Sequence, residues 1–340
     1  MHDSEIPVKR FPVIDRLGIA MRASHVLVVF FVIGGVIFAA IGTATGDTFF
    51  LRLATEALIF AGLALSVDIL LGYTGLLSLG QALYFGLGAY ISAVVLKQVP
   101  SFWTAMGTVL LASLVVGLLA GLIANRVRGV YFALVTFGLA QVVAKAIYNT
   151  RALGASDGLI GVPIVAIDLG IATVMSNAPA GFFLVTLGFL VVLYGISAYL
   201  LDTPFGRVLV ALRANERRVP FLGYSTRNAR LAAYVLAAVV AAMSGALYPM
   251  LRGFVSPELL FFSTSGNAVV TVVIGGVGTL AGALYGGVIL TVLKSVVGSM
   301  TQHHLIVIGL LFMAVVIFLP KGLLGFVRPR VERLLGGDPR

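Results

Sequence analysis

The chain contains no cysteine, which excludes disulfides, thiol nucleophiles and Cys-ligated zinc or iron–sulfur centres. Histidine is almost as scarce. His2, His25, His303 and His304 are the full set, too few and too scattered for a zinc-hydrolase constellation. Asp, Glu, Lys and Arg make up 11% of the 340 residues, against about 25% in soluble domains. Acid is the scarcer sign, with 13 Asp and Glu against 23 Lys and Arg and a formal charge of +10. An ordinary water-soluble enzyme and a disordered chain are both excluded. What the sequence has instead is a 60% hydrophobic fraction gathered in long unbroken runs, the pattern of a protein whose solvent is a lipid bilayer. The basic residues sit in short segments between those runs. There they orient a chain in a membrane, and no nucleic-acid partner is expected.

A helix needs about 20 mostly apolar residues to cross a hydrocarbon core of about 30 Å. Cutting at charges, Pro and Gly clusters predicts an all-α, polytopic protein of about ten spans: 26–45, 53–71, 81–96, 102–124, 130–148, 181–201, 231–251, 258–274, 281–297 and 304–319. The first is read as an uncleaved helix, because Asp3, Glu5 and Asp15 precede it and its run exceeds a signal-peptide core. The stretch 258–297 would reach about 60 Å as one helix, so it must break, and Gly275, Gly276 and Gly278 mark the place. Charge agrees. With ten spans and a cytoplasmic amino terminus, 17 of the 23 Lys and Arg fall on the inner side, as the positive-inside bias requires. Both termini are then cytoplasmic. The organisation is an amino-terminal segment 1–25, a membrane domain 26–319 with an outer loop 149–180 and an inner loop 202–230, and a basic tail 320–340.

Two glycine-rich stretches, 72–90 and 275–287, each contain ALYxG. Close helix packing and interrupted helices that line a path both account for them. Ionisable groups inside the spans are few. Glu56, four residues after Arg52, reads as an i,i+4 pair. Asp68 reads as a structural group that caps backbone N–H groups of 72–80 or meets a basic residue. Gln81, Tyr84, Asn267 and Thr271 are the neutral polar candidates for a translocation path. The inner loop reads DTPFGRVLVALRANERRVPFLGYSTRNAR. Thr203 serves as N-cap, Pro204 opens a helix, Val208, Leu209, Ala211 and Leu212 form its apolar strip, and Pro220 ends it after about four turns. Lipid-binding arginines explain the charge of this loop but not a capped helix, which is a shape suited to a cytosolic groove.

That loop resembles the ATPase-contacting segment of ATP-binding-cassette importer subunits, most closely the LivM-type permeases of branched-chain amino acid uptake. Collinear stretches LLGYTGLLSLGQALYFGLGAYI, GASDGLIGVP, VVIGGVGTLAGALYGG and FLPKGLLG extend the resemblance over roughly 70–325. Gln81 and Ala155 depart from it, where the family often has His and Gly. The resemblance implies a multi-pass permease of the bacterial inner membrane that pairs with a second, LivH-like permease, two cytosolic ATPases and a periplasmic solute-binding protein. It places Arg213, Asn215, Glu216, Arg217 and Gly223 in the ATPase-coupling loop, and Ser156, Asp157 and Gly158 where the binding protein docks. The chain has no G-x-x-x-x-G-K-[ST] loop of its own, so it is read as a non-enzyme without cofactor whose partners hydrolyse ATP. An ion-coupled carrier or channel for a small polar solute is the alternative, and a lipid-packed scaffold a third.

Overall fold

The computed structural model describes residues 12–168, 170, 173–300, 303–318 and 322–325. Lys321, Arg328, Arg330, Arg333 and Arg340 of the basic tail, and the first eleven residues, lie outside the described residues. The architecture is all-helical and multi-pass. Among the described residues, seven helices are long and apolar enough to cross a membrane. Helix α1 (Pro12–Thr45) begins well before residue 26, where the apolar run starts; proline suits a first helical position, and the backbone stays helical through the polar stretch that follows. Its outer surface shows Val29, Phe30, Ile33, Ile37 and Ile41, and only 22% of its span is buried against 78% for α2 (Thr48–Asp68) and its extension. Helix α1 thus lies at the periphery, and α2 is the centre of the bundle.

Asp47 caps α2, its carboxylate accepting the N–H groups of Phe49 and Phe50. At its other end α2 widens into a π-helical turn, Ile69–Thr74, closed by Gly75 at φ 72°. Such turns free backbone carbonyls and occur often at functional places. The chain returns as α3 (Gln81–Gln98), α4 (Phe102–Ala124) and α5 (Val130–Asn149). A cap follows, holding β1 (Leu159–Ile160) and the antiparallel pair β2 (Ala166–Asp168) and β3 (Thr173–Met175). Next come α6 (Pro179–Asp202), α7 (Pro204–Asn215), α8 (Thr226–Gly245) and the short α9 (Tyr248–Arg252). Strand β4 (Phe254–Val255) pairs with β1 through Leu159 and Val255, which ties the cap to the entrance of α10 (Phe262–Gly275). Helices α11 (Ala281–Met300) and α12 (His304–Phe318) follow.

Three expectations need correction. The helix expected from 258 starts at Phe262, because Pro257–Leu260 form a separate 3-10 turn and Phe261 is extended (φ −74°, ψ 160°). With 14 residues, α10 is only about 21 Å long and cannot span the core alone. Helix α7 ends at Asn215 rather than at Pro220, which sits instead in a following 3-10 turn, Val219–Leu222. Thr203 holds the N-cap position, but its hydroxyl donates back to Leu200 O at 2.6 Å and makes no cap bond.

The glycine-rich stretches pack. A methyl on Gly88 would lie 2.1 Å from Ala242 O, so α3 and α8 touch backbone to backbone. The expected break after α10 falls at Gly276 and Gly278, both at positive φ.

Candidate functional site

The loop 202–230 is anchored by an amphipathic helix. Leu209 and Leu212 of α7 are buried, which lays the helix along the inner ends of its neighbours. Arg213, on the last turn, donates from Nη1 to the carbonyl of Gly72, an acceptor in the π-helical turn. Arginine at this place satisfies a helix-terminal carbonyl as a capping group does. Directly beside it the two glycine-rich stretches meet, since a methyl on Gly72 would lie 2.6 Å from the backbone of Gly278. Asp68 fastens the junction. Its Oδ1 accepts from Gly278 N at 2.6 Å and its Oδ2 from Leu280 N at 2.8 Å. Asp68 thus caps the backbone at Gly278 and Leu280, whose positive φ (80° and 50°) turns two N–H groups toward one carboxylate, as in other backbone anion cradles.

Glu216 forms a second anchor. Its Oε1 lies 3.2 Å from Arg230 Nη1 and 3.4 Å from Arg128 Nε. Arg230, nearly fully buried, also donates to Asn125 O at 3.4 Å, and Asn125 donates to Arg227 O at 2.7 Å. The loop is thereby tied to the α4–α5 turn and to the start of α8. The five residues expected in the coupling loop therefore separate by role. Arg213 and Glu216 grip their own chain. Asn215 accepts from Arg217 N at 3.1 Å and Gly223 adopts φ 81°, so both shape turns. Arg217 is exposed. Beyond them Phe221 is 90% exposed, with Leu222 and Tyr224 also uncovered. Sequence reasoning missed these three; the available signal was a short apolar run in a loop otherwise filled with arginine.

At the opposite end of α2 lies a cavity of about 700 Å³ bounded by α2, α9, α10 and α11. Helix α2 contributes Arg52, Glu56, Phe60 and Leu63, whose spacing of four, four and three residues makes one stripe. Thr264, Asn267 and Thr271 come from α10, and Leu290, Thr291, Lys294 and Ser295 from α11. Glu56 does not pair with Arg52. Its Oε2 lies 2.5 Å from Arg252 Nη2, at the end of α9, because the cavity wall brings that guanidinium to the face of α2 on which Glu56 stands. Of the four path candidates, Asn267 and Thr271 line this cavity. Gln81 and Tyr84 do not. Both are buried between helices, Gln81 donating to Ser78 Oγ at 3.4 Å and Tyr84 to Tyr234 OH at 3.1 Å. A burial tendency shared by all four in the sequence could not separate the two groups.

A smaller cleft of about 190 Å³ shares Arg52 and Arg252 with the main cavity and runs beneath Val162, Pro163 and Ile164 of the cap. Ser156 and Asp157 are exposed on that cap, whereas Gly158 is buried, a methyl there falling 2.1 Å from Val255 O. Among the described residues no group of three or more His, Asp or Glu is placed to hold a metal.

A multi-pass helical bundle with a half-polar chamber and a braced inner elbow, and without a phosphate-binding loop, defines a membrane transport subunit. A family model described as "Branched-chain amino acid transport system / permease component" matches residues 49–316, and the chain belongs to that family. It is a transport component, not an enzyme. Similar curated proteins include the high-affinity branched-chain amino acid transport system permease proteins LivM of Salmonella typhimurium, 29% identical over 302 residues, and LivM of Escherichia coli, 28% over 301. Each alignment covers 82% of this chain and 71% of the relative. LivH of Salmonella typhimurium is 22% identical over 290 residues, covering 81% of this chain and 93% of its own.

Proposed function

We propose that this chain is one of two related permease subunits in an ATP-driven importer of branched-chain amino acids, seated in the bacterial inner membrane. A LivH-like subunit pairs with it, two cytosolic ATPases dock at the α7 elbow, and a periplasmic binding protein delivers solute to the cap around Ser156 and Asp157. The chain crosses about ten times, with α3, α12, and α10 taken together with the 3-10 turn Pro257–Leu260 before it completing the seven longer spans, and both termini lie in the cytoplasm. The inner-side excess of Lys and Arg supports this orientation.

The observation that carries the reading is the wiring of α7. Arg217, Phe221, Leu222 and Tyr224 offer a basic and apolar surface to a partner. Arg213 and Glu216 convey its displacement inward, the first to the Gly72–Gly278 junction and the second to the inner ends of α4, α5 and α8. A partner with two conformations needs only different contacts with this elbow in each to bias the bundle between inward and outward access. A carrier driven by an ion gradient would use a titratable carboxylate in its path; Glu56, the carboxylate in the cavity, is already bonded to Arg252.

The test is the reconstituted importer carrying Arg213→Ala. Uptake should fall about tenfold while ATP hydrolysis stays within about twofold, the signature of a lost coupling free energy. Parallel loss of both, or no loss of either, would remove Arg213 from the transmission path.

A further inference from the structure

In the cavity beside α2 the ionisable side chains gather at one end. From Arg52 to Leu63 the stripe runs about 16 Å along the helix axis, charged at one end and apolar at the other. Helix α10 runs in the same direction as α2 and α11 in the opposite one, so Thr264 near the start of α10 and Lys294 near the end of α11 fall at the charged end, while Leu290 falls deeper. Three cations, Arg52, Arg252 and Lys294, face this chamber with one carboxylate, Glu56. Arg252 is paired with it, but neither Arg52 nor Lys294 makes an ion pair with any described residue. Lys294 is half-buried, and an unpaired ammonium in that position favours an anion that enters with the solute. Glu56 bonds Arg252 through Oε2, and its Oε1 takes no hydrogen bond from the described residues.

We propose that this chamber is a zwitterion site. Lys294 and Arg52 take a carboxylate, Glu56 Oε1 takes an ammonium group, and Phe60 and Leu63 contact a short hydrocarbon chain. The importer reading above supplies the direction of transport, on which this assignment rests. A neutral amide leaves Lys294 unpaired in the chamber, and a simple carboxylic acid leaves Glu56 Oε1 unused, so the arrangement selects for both charges on one small molecule. The polar hydroxyls of Thr264, Thr291 and Ser295 frame the same end and suit a solute that must leave again, since none fixes it with a further charge.

The experiment uses the assembled importer in liposomes, with leucine and the binding protein on one side and ATP on the other. Wild type that moves no leucine defeats the importer reading itself. Given wild-type uptake, Lys294→Met should reduce it by about tenfold or more, the loss expected for a charge-assisted bond, with Lys294→Arg restoring most of the rate. In a binding assay on the same complex without the binding protein, leucine should displace labelled leucine, leucinamide should not, and 4-methylpentanoate should do so only weakly. Glu56→Gln should bring leucine down to the level of 4-methylpentanoate. Full uptake by Lys294→Met, or equal displacement by leucinamide and leucine, overturns the proposal. Should Lys294→Met fail to insert, Arg52→Gln at the exposed rim is expected to show the same loss at smaller size, and unimpaired uptake by that variant also counts as refutation.

Discussion

The inner elbow and the outer cavity are built from the same kinds of side chain and use them in opposite ways. In the elbow the charges are matched within the chain: Arg213 on the Gly72 carbonyl, Asp68 on Gly278 and Leu280, Glu216 on Arg230 and Arg128. What remains open there is apolar, above all Phe221. In the cavity Glu56 and Arg252 are matched, and Arg52 and Lys294 line it without an ion pair among the described residues. A region that transmits force needs rigid internal bonds and an external handle. A region that holds a solute briefly needs bonds the protein has not already made.

The largest effect is expected at Glu216. Glu216→Ala leaves Arg230 buried without its carboxylate, a loss of about 3–5 kcal/mol, visible as a lowered unfolding temperature of the purified subunit. No drop would mean that the elbow is not internally matched. Asp68→Asn keeps one acceptor for two N–H groups and should cost about 1–3 kcal/mol, with amide exchange at Gly278 and Leu280 accelerating more than in α8. Lys294→Met reverses the sign. Removing an unpaired, half-buried charge should leave the unfolding temperature unchanged or raise it by up to about 1 kcal/mol in equivalent stability while uptake falls, the usual trade between binding sites and stability. A clear destabilisation would show that Lys294 has a structural partner. The smallest thermal effect belongs to Phe221→Asp, within about 0.5 kcal/mol for an exposed position, yet this variant should no longer retain the ATPase subunits during purification. Retention would exclude the exposed run as the handle.

Much of this was legible in the sequence. Continuous apolar runs announce a bilayer protein, the glycines at 275–278 announce a break, and the apolar strip of 208–212 announces a helix lying on the inner surface. All three are local signals, in which the burial or φ of a residue follows from its neighbours in the chain. The site was legible in part. Asn267 and Thr271 line the cavity, whereas Gln81 and Tyr84, equally polar and equally placed within an apolar run, bond neighbouring helices. The two carboxylates show the limit plainly. Glu56 pairs with Arg252 and Asp68 with the backbone of Gly278 and Leu280, although Arg52 stood one helical turn from the first and the 72–80 turn immediately followed the second.

By itself the sequence determined the solvent of this protein, the order of its helices, the place where the chain must break and the helical character of the elbow, because hydrophobicity, glycine content and helix-start residues act over one or two turns. Only the tertiary structure decided which charges meet and which stay unmatched. The pairings of Glu56 and Asp68 join residues about two hundred positions apart, and helix periodicity says which face a side chain occupies without saying which other helix that face will meet.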